Sequence, residues 1–486
     1  YRTAIKSITI PSHVKEISIQ TFFSCEKLET IEFQDNSELQ KIEKCAFGGT
    51  LIESITIPAS VTELKVGWIV GADKIKEIKL QEGNKCFKYF ENNKFIVRKL
   101  DSKSSKTFDC LVYSRPDLKN VIIPPFIKII EPFSFVYSNV ESVIISPQVT
   151  RLYCKTFFSC KQLKTIEFDK NSELKLIEKD AFCNCSLIEK IVLPSTIEKL
   201  DNYIINLRDV QVILGKNKNL KSENKVIFGK SDTKSDIYDI ICFVNRDIMK
   251  TLTIPPYIKT ISMYSFSHCM IESITITPSL TEICDYAFYY CENLEKVEIP
   301  EDSHLKKIGI FAFADTKIKS IFIPKLVTEI EKGSFNCCKN LTKIEFSENS
   351  ALQKIGDYSF SESSIESIKI PPLVTIICYE AFCDCLKLKQ VDFLGNSLKI
   401  VESKAFSNTK IVYISFPLSL TYINDRAFYN CSKNIYIYTF NNDNLRVLCG
   451  SRKVHLMDEN FLSFNFNEKD KTAEIIESKS NDNSMC

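Results

Sequence analysis

Glycine is scarce in this sequence: 12 of 486 residues, about a third of the usual share of about 7%. A chain so short of glycine has few loops that could cradle a phosphate. Neither a Walker-type loop nor a dinucleotide-binding fingerprint can be read in it. Histidine is scarcer still, with four copies at His13, His268, His304 and His455. The first three stand where other copies of the repeat described below carry arbitrary polar residues, so no catalytic role is expected of them. Surplus charge is also missing: 63 basic side chains face 61 acidic ones, for a formal net charge of +2. Binding nucleic acid by phosphate neutralisation needs a clustered positive surplus, so no nucleic-acid partner is expected. No run reaches the roughly 18 to 20 uninterrupted apolar residues of a membrane span. No initiator Met stands at Tyr1, and a repeat is already under way at Ile5 to Pro11. The native N-terminus, with any targeting segment, is therefore expected upstream. From Glu468 onward the sequence is polar and reads as a tail.

What the chain does hold is 44% apolar and 26% charged residues, enough for a sizeable core and too apolar for disorder. They are arranged as a repeat, and the repeat decides the fold. A small residue followed by Phe recurs at Phe22, Phe47, Phe135, Phe157 and Phe182, then at Phe266, Phe288, Phe313, Phe335, Phe360, Phe382, Phe406 and Phe428. Ile69 and Ile205 fill the same slot in two weaker copies, which makes about fifteen coils. From Phe266 the spacings run 22, 25, 22, 25, 22, 24 and 22 residues.

The two lengths carry two texts. The short one reads I-x-S-I-T-I-P-x-x-V-T-x-I, as in Ile52 to Leu64 and Ile365 to Ile377. The long one reads L-x-x-I-E-F-x-x-N-S-x-L-x-x-I, as in Leu163 to Ile177 and Leu341 to Ile355. The added residues fall at Asn-Ser, a pair that can bond its own backbone in a turn, so the insertion should enlarge a loop and leave the stacked strand unchanged. The segment L-x-x-I-x-I predicts one strand per coil, stacked about 4.8 Å from its neighbours in a parallel concave sheet. Proline, which cannot donate to a ladder, ends the strand at Pro58, Pro278, Pro371 and elsewhere. The second apolar run should form the opposite wall, with the Phe ring filling the core. A right-handed β-helix is the rival; it would want three strand texts per coil, and only one or two can be read.

Two stretches break the repeat, at 81–120 and 215–250. They match each other at an offset of 131 residues, the same as from Phe135 to Phe266, so a larger unit was duplicated. Each reads as a hairpin-like excursion of two strands around a polar tip, Asp101 to Lys106 and Lys230 to Asp236. The expected organisation is leucine-rich repeats at 1–80, 121–214 and 251–440, these two interludes, and a C-terminal cap and polar tail at 441–486.

The text I-P-x-x-V-T-x-I-x-x-x-A-F-x-x-C, as at Ile370-Pro371 to Cys385, resembles the BspA-like, or Treponema-type, class of leucine-rich repeats. The alternating F-x-x-N-S-x-L coil is similar to BspA-like surface antigens expanded in mucosal protist parasites. The resemblance runs from about Ile5 to Cys431. It implies a repeat solenoid and a surface antigen or adhesin that binds host cell-surface or extracellular-matrix proteins. It brings no catalytic residues and no cofactor. The other reading is a cytoplasmic protein-interaction scaffold. Twenty cysteines favour that reading, since exposed thiols seldom persist outside cells.

Those cysteines recur three places after the anchor Phe, alternating with Thr or Ser in the C-terminal half. Thiols two coils apart are roughly 10 Å apart, beyond the ~7 Å limit on Cα separation for a disulfide. Only Cys160 with Cys185, and Cys269 with Cys291, occupy neighbouring coils. Most are expected to be buried small residues or weak turn donors. The pairs Cys183/Cys185, Cys337/Cys338 and Cys383/Cys385 lack zinc-ligand spacing, so no metal is expected.

Solenoids usually dock protein partners on the sheet, where stacked strands present columns of side chains. Alternation exposes the third and fifth positions of the strand text. The fifth-position column supplies acids from the long coils, at Glu32, Glu167, Glu298, Glu345 and Asp392, with Lys369 and Phe322 among them. Tyr413 stands in the third-position column. Exposed aromatics anchor interfaces, so Phe322 and Tyr413 are the leading contact candidates. The acids could meet a basic or mixed-charge protein. Paired carboxylates for glycoside hydrolysis need two acids about 5 to 10 Å apart in a cleft, and no text here shapes such a pocket.

Overall fold

The computed structural model describes residues 3–100, 107–178, 180–200 and 210–431, and beyond them the backbone of Tyr436–Phe440, Arg446–Val447 and Val454–Met457. Ile205, the Asp101 to Lys106 tip, the side chain of His455 and the tail from Glu468 lie outside the described residues. The chain winds as a parallel-strand solenoid of about 17 turns, with no helix among the described residues. Each regular turn has one long strand, here called a rung, and one strand of two residues.

The rung Ser54–Ile57 shows why the text folds this way. Ile55 and Ile57 are buried while Ser54 and Thr56 face water, the two-residue alternation of a half-buried strand. Rungs pair in parallel and in register, with Ile31 beside Ile8 and Ile344 beside Ile321. The Asn-Ser insertion closes a turn on itself as expected: the hydroxyls of Ser172, Ser303 and Ser350 accept the N–H of Leu174, Leu305 and Leu352 at 3.2–3.3 Å. It does not leave the stacking unchanged. The hydrogen-bonded wall ends after the long-coil rungs Thr30–Phe33, Lys296–Glu298, Lys343–Phe346 and Gln390–Phe393. At Thr165–Phe168 only Thr165 and Ile166 stay paired to the next rung. The long-coil rung turns into its enlarged loop before its second half can complete a ladder.

The two-residue strands form the opposite wall, from Thr260–Ile261 to Arg446–Val447 in the C-terminal half. Outward residues there pair across turns, Lys307 with Glu282 at 3.0 Å and Lys354 with Glu329. A third wall has no strand text at all. Around each anchor Phe the chain alternates into left-handed backbone, as at Tyr286 (φ 56) and Tyr290 (φ 56). This alternation points every second N–H at the following turn: Tyr286, Phe288 and Tyr290 donate to the carbonyls of Ile310, Ala312 and Ala314 at 2.7–3.0 Å. Glycine is the residue that adopts this backbone most freely, yet among the described residues 23 such positions beside an anchor are not glycine. Gly333 is an exception with a reason, because a Cβ there would lie 2.3 Å from the Phe311 ring.

Inside the three walls the anchor rings form a column. Phe313, Phe335, Phe360, Phe382 and Phe406 are all fully buried, with successive centroids 5.4–5.5 Å apart and planes within 14°. Beside it runs a column of thiols. The Sγ of Cys160, Cys185, Cys291, Cys338 and Cys385 lies 2.9–3.2 Å from the carbonyl of the anchor Phe one turn earlier. In alternate turns a Thr fills the slot and donates to its own anchor carbonyl instead, as Thr316 does to Phe313 at 2.8 Å. Both neighbouring-coil pairs, Cys160 with Cys185 and Cys269 with Cys291, are free thiols.

Each interlude is hairpin-like with a third strand, and its last two strands are buried on both faces. The strands are Phe87–Phe90, Phe95–Arg98 and Cys110–Ser114 in the first, and Leu220–Glu223, Val226–Gly229 and Ile240–Val244 in the second. Ile96 and Tyr113 pack into the core before them, while Phe95, Val97 and Leu111 pack into the core after. In the second interlude Ile227 and Phe243 face back, and Val226, Phe228 and Ile241 face forward. The interludes are septa that divide the interior into three cores. This explains their continuous apolar text, since a strand buried on both faces has no polar side to show.

A buried aspartate closes each septum. Asp109 accepts the Leu100 N–H at 3.1 Å, and Asp239 accepts the Ser231 N–H at 2.8 Å and hydroxyl at 2.6 Å. Burial works against the charge of Asp239, but the Ser231 donors outweigh it and hold the carboxyl below its usual range. Asp239→Ala should cost about 1–3 kcal/mol by leaving those donors without an acceptor. Because the folded carboxyl is the more acidic, its contribution is present above pH ~4 and fades as pH falls below it. Urea titrations of both proteins at pH 7 and pH 3 should show the gap shrinking at the lower pH.

Candidate protein-binding face

All eight predicted contact residues lie on rungs of one wall. Glu32, Glu167, Glu298, Glu345 and Lys369 are exposed, Asp392 is half-buried, and Tyr413 is 47% exposed. Register brings some of them together: Phe322 stands directly beside Glu345, and Lys369 beside Asp392. Glu298, Phe322 and Glu345 line one shallow recess. Glu32 and Glu167 sit in other parts of the wall, beside Thr9 and Ile144.

The acids do not form a bare rail. Glu298 is paired with Lys296 two residues back on the same rung at 2.5 Å and accepts the Thr275 hydroxyl at 2.8 Å. Lys296 first, and then Thr275, hold its carboxyl below the usual range. Glu345 pairs in the same way with Lys343 at 2.5 Å. The Gln390 amide donates to both oxygens of Asp392 at 2.9–3.0 Å. Among the described residues Lys369, Glu32 and Glu167 make no ion pair. The result is a face of mixed, locally neutralised charge, and exposed pairs of this kind add little stability.

Phe322 departs from the expectation of an exposed ring. It is half-buried and packs against the C-terminal core. The ladder ends just before its rung, and the ring folds into the recess this leaves, as a large apolar group will where space allows. Tyr413 remains the exposed aromatic of the set, beside Lys389, Gln390 and Lys410. The column also holds residues not singled out as contacts. Ile122 is 65% exposed and Val192 42%, with Ile144 and Ile213 half-buried between and beyond them. Glu167 divides this apolar set beside Ile144, and Ile122, Ile144 and Val192 stand in the fifth-position column.

Asp357, Cys378 and Glu402 come from three successive turns, and their ligand atoms lie within 4.8 Å of one another. Spacing rules based on neighbouring cysteines could not join them. The arrangement already has other work: Glu402 accepts the Tyr379 N–H at 2.9 Å, and burial, then Glu402, pushes the Cys378 thiol up to about 12.

A family model described as the BspA type leucine rich repeat region matches in six copies, over residues 1–108, 83–211, 237–353 and 353–449. The chain belongs to the BspA-type leucine-rich repeat family. No curated protein matches it. Several solved structures resemble this BspA-type chain. A leucine rich cell surface protein of Faecalibacterium prausnitzii is 20% identical over 82% of this chain and 81% of its own, with a TM-score of 0.42. A leucine-rich repeat protein of Eubacterium ventriosum is 22% identical over 65% and 83%, at 0.47. The pneumococcal vaccine antigen PcpA is 16% identical over 93% and 89%, at 0.41. For the BspA-type coil, the Phe column and the thiol slot together account for the A-F-x-x-C text.

Proposed function

We propose that this chain is a non-enzymatic protein-binding solenoid that works as a surface antigen or adhesin. Its long-strand wall would meet host cell-surface or extracellular-matrix proteins. The observation that carries this reading is the wall itself, an open column of mixed-charge and aromatic side chains. Its two best-placed acids, Glu298 and Glu345, are held by lysines on their own rungs. Lys296 holds the Glu298 carboxyl below its usual range, the opposite of what a general acid for hydrolysis needs. Family membership supports binding as the mode of action.

The thiols favour a second reading, an intracellular scaffold, because even the cysteines of neighbouring coils, Cys160 with Cys185 and Cys269 with Cys291, stay free. Burial weakens that objection to life outside the cell. Thiols pushed up in pKa and shielded from solvent are slow to oxidise. Antibody labelling of intact against permeabilised source cells separates the two readings. Signal on intact cells is expected, and signal only after permeabilisation would overturn the surface reading.

If the wall is the docking face, Tyr413→Ala should weaken binding to a panel of purified matrix proteins by tenfold or more, as interface aromatics do. Melting temperature should barely change, because the ring is exposed. Phe322→Ala is the poorer probe, since it would also loosen the core.

A further inference from the structure

The septa send all their strands away from the long-strand wall, so that wall, whose ladder already lapses after four long-coil rungs, is broken at two further places. The first break lies between the rungs Glu77–Leu80 and Asn120–Ile122, the second between Gln211–Leu214 and Thr251–Thr253. Every break in a sheet leaves two edges with unpaired N–H and C=O groups. The upstream edges are closed by side chains. The Tyr89 hydroxyl accepts the Leu80 N–H at 2.8 Å and donates to the Ile78 carbonyl at 3.2 Å. The Asn245 side chain accepts the Val212 N–H at 3.1 Å.

The downstream edges have no such closure. Ile123 donates to Ile144 at 2.9 Å, and Ser142 donates to Lys119 at 3.0 Å. In a parallel ladder this points the N–H and C=O groups of Asn120 and Ile122 into the break. No described residue takes them up. A recess separates the two rungs at their entry, with Ile75 to Glu77 on one side and Arg115 to Asp117 on the other. The Ile122 side chain is 65% exposed, the highest value among the exposed large apolar residues described. Ile144 continues the apolar surface on the next rung. At the second break the corresponding outward residues are Thr251 and Thr253, which offer an incoming chain little to bury.

We propose that the open edge of the Asn120–Ile122 rung is a docking site for an extended segment of a partner protein, which adds itself to the wall as a strand. Main-chain hydrogen bonds to Asn120 and Ile122 supply affinity, and an apolar side chain laid beside Ile122 supplies selectivity. The site rests on the reading of this chain as a protein binder and does not depend on its compartment. It lies apart from Tyr413 and Lys369.

The probe is a fluorescein-labelled synthetic peptide with the chain's own rung text, Lys6 to Pro11, titrated into the full chain by anisotropy. Saturable binding is expected, together with slowed amide exchange confined to 119–123. Ile122→Pro removes one N–H that faces the break, leaves the N–H groups that face Ser142–Ile145, and suits an edge strand. It should weaken binding at least tenfold. Absence of peptide binding, protection at another edge, or unchanged affinity for Ile122→Pro would each overturn the proposal. If that variant fails to fold, peptides N-methylated on one or the other set of alternate amides decide the matter with the unaltered chain. One set should lose binding and the other keep it, and equal binding by both overturns the site. Failure here, with Tyr413→Ala still weakening binding to matrix proteins, would sink the edge site and leave the broader function standing.

Discussion

Replacing Phe360 by alanine should remove about 3–5 kcal/mol from the C-terminal core and leave the two cores before it intact. The ring is fully buried, 5.4 Å from Phe335 and 5.5 Å from Phe382. Truncation therefore loses apolar burial and opens a gap in the stack that neighbouring rings cannot close, because each is held by its own turn. Neighbouring turns depend on one another in a solenoid, whereas distant ones do not. Amide exchange in mild denaturant should show lost protection spreading along 251–431 and stopping at Ile240–Val244, which the septum ties to the middle core as well. Loss of protection running on into 121–200 would mean that the septa do not divide the molecule. Phe360→Leu should cost less, since it leaves a smaller gap.

A comparably large effect should appear in alkali. Burial pushes the thiols of Cys338 and Cys385 up to about 12, against hydrogen bonds from Thr316 and Ser363 that lower them. An unfolded thiol ionises near its ordinary value of 9, while the folded one keeps its proton. The contribution of each is therefore whole below pH ~9 and is lost as pH rises toward 12. Linkage puts the loss at about 1 kcal/mol per thiol between pH 9 and 10, approaching 1.4 kcal/mol per pH unit beyond. Cys269 and Cys291 are displaced in the same direction by burial, so the C-terminal core alone holds several such groups. Urea midpoints should fall steeply from pH 9 to pH 10, and Cys338→Ala with Cys385→Ala should flatten that fall. An unchanged slope in the double variant would refute the assignment.

The period of the Phe anchors and the S-I-T-I text made the rungs, the opposite wall and the core column legible, because each depends on local alternation. The third wall was not. Its left-handed backbone falls on residues such as Tyr286, Tyr358 and Glu380, which carry no turn signature, and only the carbonyls of the next turn reveal what the N–H groups are for. The septa were legible as interruptions but not as partitions. Phe95-Ile96-Val97 reads the same whether it packs on one core or between two. On the candidate face, alternation put all eight residues on the long-strand wall, with Phe322 and Asp392 half-buried there. It could not show that Lys296 would hold Glu298, or that a broken ladder would leave Phe322 room to tuck in.

The partitions bear on how the molecule would respond to tension applied at its ends. A plain solenoid can peel from one end, turn after turn, with nothing to stop it. Here peeling from the C-terminal side would have to tear out Val226–Gly229 and Ile240–Val244, which are gripped on both faces. Extension should then come in discrete lengths. Residues 251–431 would release roughly 180 residues, about 600 Å of extended chain, before the middle section began to yield.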